Sequence, residues 1–546
     1  MQGLMMDYPL TLTHVLERSA KLFPKKEIAS KMHDGMHRHS YADFHARVHK
    51  VARGLEKLGV QPGDRVGTLC WNSFRHLELY FAVPCYGAVL HTLNLRLPPD
   101  QLAYIINHAD DRVIFVDASL ATILEPIRDQ ISCTKHFVIL PDTENDRTSL
   151  VPATGYEQLI ESSAGAPYSW PELDEKTAAA TCYTSGTTGN PKGVLYTHRS
   201  LFLHSYALAL ADVFAISERD VVLQIVPMFH ANGWGIPYAA VMTGARIVFT
   251  GRQLQPADIA QLIQNERATF TAGVPTIWMS LYGYLETQPR DLSSLRMVVV
   301  AGSAMPRQFI ELYEKKYGVR FRLAWGMTET TPIATFMAFK EHLEKLPEKE
   351  RFDLLARHGL PVAGVDIRVV DAEGAELPWD GASMGELQTR GPWVTSGYYN
   401  DSRDAESFSE GWFRTGDVAT VDPEGYMQIM DRTKDLVKSG GEWIPSVDLE
   451  NAIMAHPKVM EAAVIAVFHP KWQERPLACI APLEQHRGNI TKQEILDFLV
   501  GKIAKWWLPD DIVFLEAVPK TSVGKFNKRA LREQFKNYKL PGAEAG

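Results

Sequence analysis

YTSGTTGNPKG, residues 183–193, places four aliphatic hydroxyl side chains, three glycines and one lysine within eleven positions. Such a stretch suits an anion. Glycine lets backbone amides approach phosphate oxygens, the hydroxyls donate hydrogen bonds, and Lys192 adds charge. The spacing is not that of a P-loop, which ends in Gly-Lys-Ser/Thr; here Lys192 stands between Pro191 and Gly193. The stretch therefore predicts a phosphate cradle outside the ordinary P-loop class.

The chain around it alternates short apolar strands with helical segments. RVIFVDA (112–118), DVVLQIVPMF (220–229) and VRFRLAWG (319–326) read as strands. LRMVVVAGSAMP (295–306) reads as a strand and a glycine turn, with Pro306 opening a helix. That alternation predicts α/β layers with parallel sheets, whose ligands bind beyond the carboxyl ends of the strands. After about residue 363 the character changes to short β segments: VDIRVVDAEG, GELQTRG and GYMQIMDRTKD. A tail of about 110 residues follows, an ordinary small-domain size. It contains the strand EAAVIAVFH (461–469) and a helix over ILDFLVGKIAKWW, opened by a Thr491–Glu494 capping box. The boundary falls near 432–436. The expected fold is α/β: a large N-terminal domain (1–433) of αβ-layered sheets with a β-barrel-like part, then a small mobile α+β C-terminal domain (434–546).

Bulk properties agree with a globular protein of 546 residues, 45% hydrophobic and 22% charged. A net charge of −8 argues against a nucleic-acid partner. Five dispersed cysteines without a CxxC pair suit a reducing compartment and offer no zinc site. No signal peptide or transmembrane run is evident, so a cytoplasmic location is expected.

The string YTSGTTGNPKGVLYTH closely resembles the signature loop of the adenylate-forming enzymes. MFHANGWG (228–235), AGSAMP (301–306), WGMTET (325–330), GELQTRG (385–391), GWFRTGD (411–417), DRTKDLVKSGGEWI (431–444) and PKTSVGKFNKRAL (519–531) follow in that family's order. The resemblance spans nearly the whole chain and is strongest to acyl-CoA synthetases. It implies two half-reactions. A carboxylate attacks the α-phosphate of ATP, giving an acyl-adenylate and pyrophosphate; CoA then takes the acyl group and AMP leaves. Mg2+ assistance is implied.

The resemblance also implies roles. Thr184, Ser185, Gly186, Thr187, Thr188 and Lys192 hold the β- and γ-phosphates. Thr328 contacts the α-phosphate, Glu329 and Thr188 bind the metal, and Trp325 faces the adenine. Asp417 grips the ribose hydroxyls, with Arg432 beside it. Lys525 draws the attacking carboxylate and the α-phosphate together, whereas Lys520 and Lys528 read as solvated. Lys434 is the hinge about which the small domain rotates for the thiol step, bringing Ser439, Gly440, Gly441 and Trp443 to line the pantetheine tunnel. His230, counted with Lys525, Glu329 and Thr328 as catalytic, matches a position that fills or clears the thiol tunnel near the acyl carboxylate, and Trp234 matches the acyl-channel gate of long-chain relatives. Val274, Pro275, Ala301, Gly302, Ser303, Gly326 and Met327 set pocket depth.

No acidic residue in the early pocket motif is ready to grip an α-amino group, which disfavours amino-acid substrates. DLVKSGGEWI resembles fatty acyl-CoA synthetases and ligases of short methylthio acids. A medium- or long-chain fatty acid is the principal expectation, and 3-methylthiopropionate is the alternative. A non-catalytic acyl or nucleotide binder is the third reading. Relatives of this type admit a homodimer.

Overall fold

The computed structural model describes residues 1, 3–143, 147–184, 190–401, 404–440, 442–521 and 525–541. Two layered sheets carry most of the N-terminal part. One has seven strands, ordered Ala153–Gly155, His136–Leu140, Asp111–Asp117, Arg65–Leu69, Val89–Thr92, Ala178–Tyr183 and Gly193–Thr197. All its pairings are parallel except the last, a hairpin of Ala178–Tyr183 with Gly193–Thr197. Residues 184–192 of the signature stretch connect these two strands in sequence.

The second sheet has nine strands. Its centre is parallel: Phe321–Gly326, Met297–Val300, Phe270–Gly273, Val221–Gln224, Arg246–Phe249 and Glu27–Met32. Antiparallel strands close both edges. The apolar runs explain the central positions. Val298, Val299 and Val300 are buried, as are Val113 to Val116 in the first sheet, because helices or a neighbouring sheet cover both faces. The strand expected over 220–229 stops at Gln224. Beyond it the side chain of Asn72 replaces the ladder: Nδ2 donates to the Gln224 and Val226 carbonyls, and Oδ1 accepts from Met228 N.

The barrel-like part is a five-stranded antiparallel sheet of Asp366–Val370, Gly385–Arg390, Trp412–Val421, Phe408–Ser409 and Met427–Arg432. Arg432 ends its last strand, and Val437 begins the first strand of a fourth sheet built entirely from the C-terminal part. That sheet has its own two apolar cores. Met279, on the N-terminal helix Pro275–Thr287, packs against one of them.

The helix after Thr491 is shorter than expected and ends at Leu499. Gly501 turns the chain at φ +76°, and Lys505–Trp507 forms a separate 3-10 turn. The capping box is half formed. Thr491 Oγ1 accepts from Glu494 N, but the Glu494 carboxylate turns to Lys458 at 2.8 Å.

Candidate active site

The carboxyl ends of four strands open onto one cavity of about 450 Å³. Thr184 follows Ala178–Tyr183, Ala301 to Ser303 follow Met297–Val300, Met327 to Glu329 follow Phe321–Gly326, and Pro275 lies just beyond Phe270–Gly273. The cavity also takes Asp417 and Arg432 from the antiparallel sheet, and Lys434 and Lys525 from the chain beyond it. Residues far apart in sequence thus meet where open α/β sheets bind ligands.

Asp417 and Arg432 face each other across adjacent antiparallel strands. Arg432 Nε lies 2.6 Å from Asp417 Oδ1, and Trp325 Nε1 donates to Oδ2 at 2.8 Å. The carboxylate is buried and held rigid from both sides. The Trp325 indole is therefore locked by the same group that the resemblance assigns to the ribose.

Lys525 reaches into this cavity from the fourth-sheet part. Its Cε would come within 3.1 Å of a Cβ on Gly302, which sits at φ +92°. Glycine there satisfies the backbone and clears the lysine's path. Burial pushes Lys525 down to about 8, with Arg432 acting the same way and Asp417 and Glu329 opposing. The main-chain turn is pinned by Thr521 N donating to the Lys525 carbonyl and Lys525 N donating to Thr521 Oγ1.

Glu329 is 6% exposed. Burial raises its carboxyl above the usual range, against the Tyr398 hydrogen bond and the nearby Arg432 and Lys192 charges. Tyr398 Oη donates to Glu329 Oε1 at 2.7 Å, and Lys192 Nζ lies 4.2 Å from the centre of the Tyr398 ring. Lys192, Tyr398 and Glu329 thereby form a continuous line along the cavity wall. Thr328 is fixed through its carbonyl, which accepts from Tyr196 Oη. Gly326 is dictated by close approach: a Cβ would fall 1.7 Å from the Pro332 carbonyl oxygen. Tyr398 and Tyr196 were not singled out from the sequence. Tyr196 belongs to the quoted VLYTH, whereas Tyr398 sits between motifs and carries no local signal.

At the hairpin tip, Thr184 N donates to the Lys192 carbonyl and Lys192 N donates to Thr184 Oγ1. The expected cradle residues Ser185, Gly186, Thr187 and Thr188 lie outside the described residues, as does Gly441.

The other end of the cavity is more apolar. His230, Trp234, Ala301, Gly302 and Met327 line it with Pro275. Burial, with the Lys525 and Arg96 charges, pushes the His230 imidazole down to about 3, so it is neutral at physiological pH. After His230 the backbone makes a left-handed turn: Ala231, Asn232, Gly233, Trp234 and Gly235 have φ of 42°, 50°, 62°, 59° and 69°. L residues resist that conformation. Neighbours hold it: Gln224 Nε2 donates to the Gly233 carbonyl, and Cys182 Sγ to Asn232 Oδ1. Trp234 is 5% exposed at the end of this turn. Val274, expected on the wall, is not there. It stands behind Gly302, 3.3 Å from where a Cβ on that glycine would sit, because Pro275 turns the chain into a helix and presents the wall instead.

Ser439, Gly440 and Trp443 are not on the cavity wall. Ser439 Oγ accepts from Arg475, a Cβ on Gly440 would meet the Trp472 ring at 2.8 Å, and Trp443 is 40% exposed. Lys434 lies at the rim, where desolvation lowers it; Asp435 opposes the shift, and Arg432, Arg532 and Arg529 add to it. Lys528 corrects the sequence reading. Its side chain is only 10% exposed and lies 2.7 Å from Glu450; it also donates to Ser446, which donates to Asp431. Burial opposes its charge, but Glu450, Asp431 and Asp435 raise its pKa. Lys520 pairs with Glu461 at 2.6 Å and stays 38% exposed.

Residues 16–399 match the profile of the AMP-binding enzyme family, and residues 448–525 that of the AMP-binding enzyme C-terminal domain. The chain is 50% identical to a long-chain-fatty-acid–CoA ligase of Thermus thermophilus, covering 98% of this chain and 97% of that protein. It is 45% identical to a 3-methylmercaptopropionyl-CoA ligase of Ruegeria lacuscaerulensis, covering 98% and 99%. The anthranilate CoA ligase AuaEII in complex with anthranoyl-AMP has the same fold, with a TM-score of 0.86 at 24% identity over 97% of this chain and 98% of that one. No described helix is long and apolar enough to cross a membrane. With cavity, motif order and both family domains in agreement, the chain belongs to the AMP-binding enzyme family as an acyl-CoA synthetase of the adenylate-forming superfamily.

Proposed function

We propose that the protein forms acyl-CoA from a medium- or long-chain fatty acid, ATP and CoA in the cytoplasm. The observation that carries this reading is Lys525, drawn into the same cavity as Glu329, Asp417 and Arg432. In the first step a carboxylate oxygen bonds to the α-phosphorus and pyrophosphate departs. Two anions must approach, and preorganised positive charge offsets their repulsion. Lys525 supplies it between them, and Arg432 adds to it. Lys192 and the Thr184–Thr188 loop hold the β- and γ-phosphates, Thr328 the α-phosphate, Asp417 the ribose, and Trp325 the adenine side. Neutral His230 marks the acyl carboxylate end.

The buried Glu329 carboxylate is a hard oxygen donor that forms no direct ion pair among the described residues, which fits Mg2+ held by a carboxylate and substrate phosphates. Glu329 and Thr188 are its proposed ligands. The ion would offset phosphate charge. Tyr398 orients the Glu329 carboxylate.

In the second step the CoA sulfur attacks the acyl carbon and AMP leaves with the bonding electrons. Lys525 then has no role near the α-phosphate, and the thiol needs a path. Division of the chain into 1–433 and 434–546, hinged at Lys434, meets both needs. The change of sheet between Arg432 and Val437 supports that division. Rotation withdraws Lys525 and brings Ser439, Gly440, Gly441 and Trp443 to the tunnel. A homodimer is the assembly proposed, by resemblance to long-chain relatives.

A second reading, a short acid such as 3-methylthiopropionate, is favoured by one observation. Trp234 lines a cavity of about 450 Å³ that must also hold the nucleotide. A long chain needs Trp234 to move; a short acid does not. Pyrophosphate and AMP release should be measured with ATP, Mg2+, CoA and acids from acetate and 3-methylthiopropionate to C16. A medium- to long-chain optimum supports the main reading. A peak at the methylthio acid replaces it, and silence across the panel with ATP bound refutes both.

A further inference from the structure

We propose that Glu17, His45 and His49 form a binding site for a divalent transition metal of the imidazole-binding class, with Zn2+ as its type. Sequence and fold build the site together. His45 and His49 stand four residues apart in HARVH, on one face of the helix Tyr41–Lys57. Glu17 arrives from the helix Leu12–Leu22, which packs against it. The three potential ligand atoms converge. His45 Nε2 lies 3.0 Å and His49 Nε2 3.6 Å from Glu17 Oε1, and the two imidazole nitrogens are 3.1 Å apart. Three ligands bound tetrahedrally at zinc distances stand roughly 3.3 Å from one another. The observed triangle, with sides of 3.0, 3.1 and 3.6 Å, therefore approximates one face of such a tetrahedron.

The setting agrees with a built site. Trp170 Nε1 donates to Glu17 Oε1 at 2.9 Å, and the Trp170 ring lies 4.6 Å from that of His49. This anchors the carboxylate and one imidazole. Glu17 is 46% exposed, so an ion has a way in, and solvent can supply the fourth ligand. Imidazole with a carboxylate selects zinc-like metals over Mg2+, which prefers oxygen alone. The triad is separate from the cavity, whose lining contains none of its residues. A bound ion would join the first two helices and the segment carrying Trp170. The cysteines had given no zinc site; this one uses none.

The test is Co2+ and Zn2+ titration of chelator-treated full-length protein, followed by Co2+ visible absorption and calorimetry. The wild type should bind one ion with an intense tetrahedral cobalt spectrum, and Zn2+ should raise its unfolding midpoint. H45A and E17Q should each lose that spectrum and the midpoint rise while unfolding cooperatively. H37Q/H39Q removes the other histidine pair, whose ring nitrogens lie 3.3 Å apart; it should keep both. Absence of a tetrahedral spectrum in the wild type, or its survival in H45A and E17Q, overturns the proposal and leaves a hydrogen-bonded cluster. Acyl-CoA formation at saturating Mg2+ should be the same in H45A as in the wild type. A shared loss there would count against a separate site.

Discussion

Replacing Lys525 by methionine should make the resting protein more stable and the first half-reaction far slower. The lysine's ordinary value of 10.5 is pushed down to about 8 by burial and by Arg432. Holding it charged in the folded state therefore costs roughly 3 kcal/mol relative to the unfolded chain. The sign follows from the protons. Below about pH 8 the folded lysine is charged and the whole cost is present. Between about 8 and 10.5 the unfolded chain still holds the proton that the folded one has lost, so stability rises with pH. Near 10.5 and above both are neutral and the cost is gone. Methionine matches the length of the stem without the charge. K525M should thus exceed the wild type by up to about 3 kcal/mol near pH 7, with the gap closing towards pH 10.5. Outward displacement of the small domain caps the gain. Loss of a preorganised charge at the reacting centre costs roughly 10²–10³ in rate. Denaturant unfolding at both pH values and ATP–pyrophosphate exchange measure the two sides. ATP should stabilise the wild type more than K525M, because the nucleotide gives the lysine its counter-charge. A variant less stable than the wild type near neutrality, or exchanging pyrophosphate within tenfold of it, would refute the reasoning.

Three further outcomes are expected. Y398F removes the hydrogen bond that opposes the burial-driven rise of Glu329. Its carboxyl should titrate higher still, so the acid limb of the exchange–pH profile should move to higher pH, with K192 intact. K528M leaves Glu450 and Asp431 buried without their cation. It should cost about 3–5 kcal/mol by thermal or denaturant unfolding, and the double variant K528M/E450Q should recover much of that. D417N leaves Arg432 without its carboxylate and gives the ribose a weaker acceptor. ATP binding by calorimetry should weaken by about tenfold or more, about 1.4 kcal/mol, while acid specificity stays unchanged.

By itself the sequence determined what local chemistry can encode. Runs such as MVVV and RVIFVD are strands because β-branched residues suit a covered sheet, and the parallel alternation follows from their spacing with helices. The signature loop and the later motifs were legible because each is contiguous, and their order named the family. Contacts between distant segments were not legible. Only the tertiary structure decided that Tyr398 would meet Glu329 and that Asn72 would end the strand at Gln224. It also put Val274 behind Gly302 and Lys528 inside a carboxylate cluster. HARVH shows two histidines on one helix face, but Glu17 reaches them from a different helix. The physical reason is common to all of these. Burial and pairing depend on which surfaces pack together, and no window of neighbouring residues contains that information.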